Sequence, residues 1–245
     1  MAAPDQKSNS LRVGILLIPP VQLLDASSID AFGMLTPSYL AACGLPAPLV
    51  NLAIPVSIHY ISASGQGTHA SMTASATLPV TDSLNSPAVQ PGQLDVLLIP
   101  GPDPNLVPDE PVLDFIRAHQ KADQTDFLVI CTGSYPAGYA GLLDGKRVTG
   151  PRALVPKLSE KFPQAKFVER RWERDGRLWS SGGYYFWLLM IAWAMMTMIN
   201  LWNHFLLSLI LVALSSALVP STATTPCPLS LVPRLQELVC APRYH

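Results

Sequence analysis

Charge is scarce in this chain. Only 13% of its 245 residues are Asp, Glu, Lys or Arg, about half the ordinary share. The 16 basic and 17 acidic residues leave a net charge of −1. No basic excess is available to neutralise phosphates, so nucleic acid is excluded as a partner. Cysteine is also sparse: Cys43, Cys131, Cys227 and Cys240. No two stand at zinc-knuckle spacing and no His pair accompanies them, so no metal site is expected. Four cysteines in a chain this long do not form a disulfide scaffold. No cofactor is expected either. The first ten residues, MAAPDQKSNS, lack the apolar run of a signal peptide. The expected compartment of the first part is therefore the reducing cytoplasm, where a free thiol survives.

Charge is also absent from one long stretch. All but three of the charged residues lie before Tyr184, and Tyr184–Pro233 has none. The chain reads as two unlike pieces. Within the first, the apolar runs RVGILLI (12–18), LDVLLIP (94–100) and DFLVI (126–130) read as buried parallel strands. Val56–Ser62 alternates like a strand, and residues 69–81 suggest a short extended pair. Helices are expected over Val21–Ala42, Asp109–Lys121, Ser134–Leu143 and Ala153–Phe162. Residues 45–55 read as a Pro-rich loop, and 147–149 as a short strand. Asp175-Gly176 marks a hairpin turn between 166–173 and 177–180. Strands alternating with helices give a doubly wound, mostly parallel sheet covered on both faces. Its site belongs at the carboxyl ends of the strands.

Three segments end there together: 19–25, 100–104 and 131–134. In LVICTGSYPAG a buried strand runs into a small-residue turn and then a helix, the layout of a nucleophile elbow with cysteine in place of serine. The helix N-terminus favours thiolate, so an acidic, reactive Cys131 is expected. A buried structural cysteine is the competing reading. Gly101, after LLIP, lets the backbone approach a ligand and offers an N–H to an oxyanion; alone it would be an ordinary turn glycine. Asp25 follows the first strand and is placed to orient or protonate a reacting group, or simply to cap a helix.

The blocks RVGILLIPPVQLLDASSIDAFGML, LDVLLIPGPDP, LVICTGSYPAGYAGLLDGKRVTGPRALVPKL and FVERRWERDGRLWSSGG resemble the ThiJ/PfpI family of the class I glutamine-amidotransferase-like superfamily, over residues 12–183. The nearest resemblance is to its isonitrile hydratase-like branch. It implies a flavodoxin-like sandwich with a cysteine nucleophile at Cys131. It further implies an acidic partner at Asp25 from the QLLD block, Thr132 beside the nucleophile, and oxyanion donors at Gly101 and Thr132 N–H. It also leaves room for a family-type homodimer. The chain departs from the family in three places. Pro102 follows Gly101 where relatives have a second glycine, which removes one N–H. Thr132 and Gly150-Pro151 stand where many relatives carry histidine. His59, His69 and His119 match no motif and read as surface or loop histidines. A Cys-His triad is therefore not expected.

The third departure is the end. After Gly183 a closing amphipathic helix would be usual, but Tyr184–Val219 is 36 residues without charge. It reads as an apolar helix: a membrane anchor, or sequence from a mis-spliced or frameshifted message. The expected organisation is thus an α/β domain at 11–183, the apolar segment at 184–219 and an unstructured tail at 220–245. Four functions compete. The sharpest is an enzyme hydrating small electrophilic isonitriles. A glyoxalase- or deglycase-like enzyme is second, a non-enzymatic redox-sensing or ligand-binding domain third, and an inactive truncated product fourth.

Overall fold

The computed structural model describes residues 10–183. The expected Tyr184–Val219 helix and the 220–245 tail lie outside the described residues. Among the described residues no helix is long and apolar enough to cross a membrane.

The strands are β1 (Leu11–Leu16), β2 (Val56–Ser62), β3 (His69–Ser71), β4 (Thr77–Pro79), β5 (Asp82–Ser83), β6 (Val96–Ile99), β7 (Asp126–Ile130), β8 (Arg147–Val148), β9 (Lys166–Phe167), β10 (Trp172–Asp175) and β11 (Leu178–Ser181). Seven form one sheet in the order β10-β11-β7-β6-β1-β2-β5. All neighbours are parallel except the β10–β11 hairpin. The fold is thus the expected mostly parallel α/β sheet. The expected short extended pair is the β3–β4 ladder.

The central strands read as unbroken apolar runs because both their faces are buried. Successive side chains feed opposite layers. Leu97, Ile99, Phe127 and Val129 join one core with Ile116 and Leu158. Val96, Leu98, Leu128 and Ile130 join the other with Phe32 and Trp179. The helices covering these faces are α1 (Leu23–Ala26), α2 (Ile29–Gly33), α3 (Pro37–Ala42), α4 (Ala47–Val50), α5 (Glu110–Ala122), α6 (Ser134–Tyr139) and α7 (Val155–Lys161).

The single helix expected over Val21–Ala42 is three short ones. Local hydrogen bonds break it. The Ser28 hydroxyl donates to the Asp25 carbonyl at 2.7 Å, ending α1. The Thr36 hydroxyl then accepts the Tyr39 N–H as cap of α3, and Pro37, with no N–H to give, starts it. The Pro-rich 45–55 loop contains α4. Residues 166–173 are not one strand: β9 pairs with β8 in a separate small sheet, and only β10 enters the hairpin.

Candidate active site

At the carboxyl end of β7 the backbone turns sharply. Cys131 has φ +55°, a left-handed conformation that is strained for a residue with a Cβ, by about 1–3 kcal/mol. A single turn, Cys131–Gly133, leads into α6. This is the expected elbow, and it leaves Cys131 partly exposed at the top of the sheet. Gly133 makes the approach of the turn to β6 possible: a Cβ there would sit 2.2 Å from the Ile99 carbonyl oxygen. Since a backbone oxygen has little room to yield, Gly133→Ala is expected to destabilise the domain by at least about 2 kcal/mol. Urea unfolding of the variant checks this; an unchanged midpoint would show the contact to be unimportant.

Gly101, two residues beyond β6, is also tightly packed. A Cβ on it would meet Thr132 Oγ1 at 2.4 Å and Asp25 Oδ2 at 2.5 Å. Its N–H donates to Asp25 Oδ2 at 3.1 Å. That N–H is engaged, so in this structure Gly101 holds the carboxylate rather than facing an oxyanion. Asp25 is fully buried and lies inside α1, not at its cap. Its Oδ1 is buried with no hydrogen-bond partner.

The segment before α1 crosses the strand ends. Val21 bridges both Pro102 and Met72, and the Gln22 N–H donates to the Gly101 carbonyl at 2.8 Å. This places the Gln22 side chain over the elbow. Its Nε2 donates to Thr132 Oγ1 at 3.1 Å, and its Oε1 accepts from Cys131 Sγ at 3.7 Å. Thr132 is buried, and its hydroxyl donates to the Pro102 carbonyl at 2.7 Å. Cys131, Thr132, Gly101 and Asp25 thus converge. Gln22 and the Pro102 carbonyl were not singled out from sequence. Gln22 stands three residues before Asp25 in the QLLD block, and Pro102 drew notice only for the N–H it lacks. A groove of about 500 Å³ opens beside them, walled by Pro20, Gln22, Leu24, Thr73, Pro102 and Pro104.

The electrostatics differ from the expected acidic thiol. Burial pushes the Cys131 thiol up to about 12; the negative charge of Asp25 adds to this, and the Thr132 N–H opposes it. The helix that was to favour thiolate begins three residues on, at Ser134, whereas the carboxylate acts directly on the sulfur. Asp25 is in turn raised to about 6 by burial, against the Gly101 N–H and the thiol, which favour its charged form. At pH 7 the pair therefore holds a neutral thiol beside a largely ionised carboxylate.

Among the described residues no histidine joins the site. His119 is buried on α5, its ring nitrogens meeting Thr125 Oγ1 at 3.1 Å and the Val89 carbonyl at 3.0 Å; it is a core residue, not a surface one. His59 pairs with Asp82 at 2.9 Å in β2. His69 is exposed on β3. Among the described residues no group of three metal-ligating side chains comes together.

The model of the DJ-1/PfpI family matches residues 47–192. The chain belongs to the DJ-1/PfpI family. The match runs past Gly183, where the sequence blocks stopped. The isonitrile hydratase of Pseudomonas putida is 35% identical over 183 residues, 71% of this chain and 66% of that protein. The chain thus spans just under two thirds of the relative's length. Among solved structures, Schizosaccharomyces pombe DJ-1 has a TM-score of 0.61 at 16% identity, covering 86% of this chain and 100% of that one. An AraC family transcriptional regulator from Pseudomonas putida has a TM-score of 0.62 at 16% identity, covering 83% and 99%. These likenesses carry the DJ-1/PfpI fold, not an activity, since one fold hosts many functions.

Proposed function

We propose that residues 11–183 form a hydratase that converts small isonitriles to N-formamides through Cys131. The observation that carries this reading is the convergence of the elbow residues Cys131 and Thr132 with the buried carboxylate of Asp25 at Gly101. The terminal carbon of an isonitrile must gain both a nucleophile and a proton. A thiol next to a base supplies both. Cys131 passes its proton to Asp25 as Sγ bonds to the carbon; Asp25 returns that proton to the same carbon, giving a thioimidate. Water then adds across the C=N bond, its oxygen to carbon and one proton to nitrogen. The C–S bond breaks, the formamide C=O forms, and the second water proton restores the thiol. The sum is one isonitrile plus one water to one formamide. The Thr132 N–H favours the charged sulfur, and so lowers the barrier to both its attack and its departure. The 35% identity to an isonitrile hydratase supports the same reading.

A peroxide-sensing thiol would need a lowered pKa, and the burial and charge around Cys131 act the other way. A glyoxalase- or deglycase-like reading lacks a histidine at the site among the described residues. The proposal takes the substrate as the only small-molecule partner, with no cofactor, metal or nucleic acid. A family-type homodimer and a cytoplasmic location for the α/β domain belong to the same reading. Incubating the full chain with small alkyl isonitriles and following the formyl proton by NMR tests it. Formamide production well above the buffer control is expected. Its absence, with turnover of methylglyoxal instead, would replace it with the carbonyl-directed reading.

A further inference from the structure

The groove beside the elbow is one-sided in character. Pro20, Leu24, Pro102 and Pro104 make its walls apolar, and Asp103 is the one charged residue among the described residues that line it. Leu24 is 54% exposed, which leaves a large apolar side chain uncovered there. Gln22 lines the same groove and lies 3.7 Å from Cys131 Sγ, so the groove opens onto the sulfur. Its walls are held in place. The Thr73 N–H donates to the Val21 carbonyl at 2.9 Å, and its hydroxyl accepts the Leu23 N–H at 3.0 Å. The next two residues, Ala74 and Ser75, have φ +59° and +57°, a left-handed conformation that residues with a Cβ keep only where their surroundings impose it. Asp103 Oδ1 accepts both the backbone N–H and the side-chain amide of Asn105, at 2.8 and 3.1 Å. A second groove shares Pro104 and carries Lys157, Glu160 and Lys161. Those cations line a different space from the one at the sulfur.

We propose that this groove holds the organic group of the isonitrile, and that Asp103 makes it select apolar groups that end in a cation over those that carry a carboxylate. The inference rests on the hydratase reading and names its substrate class. An isonitrile is linear and reacts at its terminal carbon. With that carbon at Sγ, the organic group must project away from sulfur, into the space that Leu24, Pro102 and Pro104 wall. Apolar carbon there removes the exposed face of Leu24 from water. A carboxylate in the same place would lose hydration and meet Asp103 on the wall and Asp25 beneath, with no groove cation to offset either. An ammonium would instead gain from both charges.

The test compares charged probes of one shape in the full chain, so that only ratios are read. The substrates are 2-(trimethylammonio)ethyl isonitrile and isocyanoacetate. The wild type is expected to favour the cation in kcat/KM by about 30-fold or more. Asp103→Asn keeps the acceptor for Asn105 but removes the charge, and is expected to lower that ratio about tenfold. Leu24→Lys, at an exposed position, is expected to lower it by about as much through a new positive charge. A second readout needs no turnover: mixed-disulfide formation at Cys131 by the trimethylammonioethyl and sulfonatoethyl methanethiosulfonates, read on the Cys131 peptide against 2-mercaptoethanol. Its cation-to-anion rate ratio is expected to fall several-fold in both variants. Ratios that stay at the wild-type value in both variants, in both assays, would overturn the proposal. Failure to hydrate any isonitrile, with the disulfide ratios shifted as expected, would sink the hydratase reading and leave the charge selection of the groove standing.

Discussion

Cys131→Ala is expected to abolish isonitrile turnover, with kcat falling by about 10⁴-fold or more. Alanine keeps the Cβ and so the same strained left-handed backbone. It also removes a group that is only partly buried. The fold should therefore survive, and the loss would belong to chemistry. Thermal unfolding of the variant is expected to match wild type within a few degrees. Cys131→Ser should be nearly as inactive, because a hydroxyl is a far poorer nucleophile than a thiol at the same position. Formamide release by either variant at even a tenth of the wild-type rate would exclude a covalent role for sulfur.

Asp25→Asn should separate activity from stability. With the carboxylate gone, the thiol has no base to take its proton, and turnover is expected to fall about 10²–10⁴-fold. Stability should move the other way at neutral pH. The folded state holds Asp25 at about 6, above its ordinary 3.8. Between these values the folded protein binds more protons than the unfolded chain, so this group's contribution falls as pH rises from about 4 to 6. Above pH 6 the full penalty applies, on the order of 2–3 kcal/mol. Asparagine carries no charge to bury, and its carbonyl can still accept the Gly101 N–H. The variant is expected to gain on the order of 1–2 kcal/mol at pH 8 and little at pH 4. Urea midpoints at the two pH values check this. A variant destabilised equally at both would show that Asp25 is a structural residue, not a strained functional one.

The parts of the fold legible in the sequence are those whose signal is local. Leu94–Pro100 and Asp126–Ile130 read as strands because both faces are buried, which makes the run continuous. The turn after Ile130 was legible because small residues follow the strand at once. The breaks between α1, α2 and α3 were not. They depend on which carbonyl the Ser28 hydroxyl reaches and on Thr36 as a cap, while the apolar spacing of Phe32, Leu35 and Leu40 continues as if one helix ran through. β5 and β9, two residues each, are too short for any period to show.

The same division holds in the site. Cys131, Asp25, Thr132 and Gly101 were nameable because each follows a strand end, and a parallel sheet brings strand ends together. How they would act on one another was not. An acidic thiol follows from the helix alone, but the topology stacks Asp25 on Gly101 and sets its charge against the sulfur. Gln22 escaped notice because a glutamine has no chemistry of its own to announce. Its place over the elbow depends on its N–H bonding the Gly101 carbonyl, a contact between segments far apart in the chain.

The central claim is that sulfur bonds to the substrate carbon. Rapid acid quench of the wild-type protein during turnover of a bulky, slow isonitrile, followed by mass analysis of the Cys131 peptide, tests it most directly. The expected result is a fraction of that peptide heavier by the mass of one isonitrile, absent in Cys131→Ala. A wild-type protein that releases formamide while its Cys131 peptide stays unmodified at every quench time, with the Cys131→Ala variant still active, would contradict it.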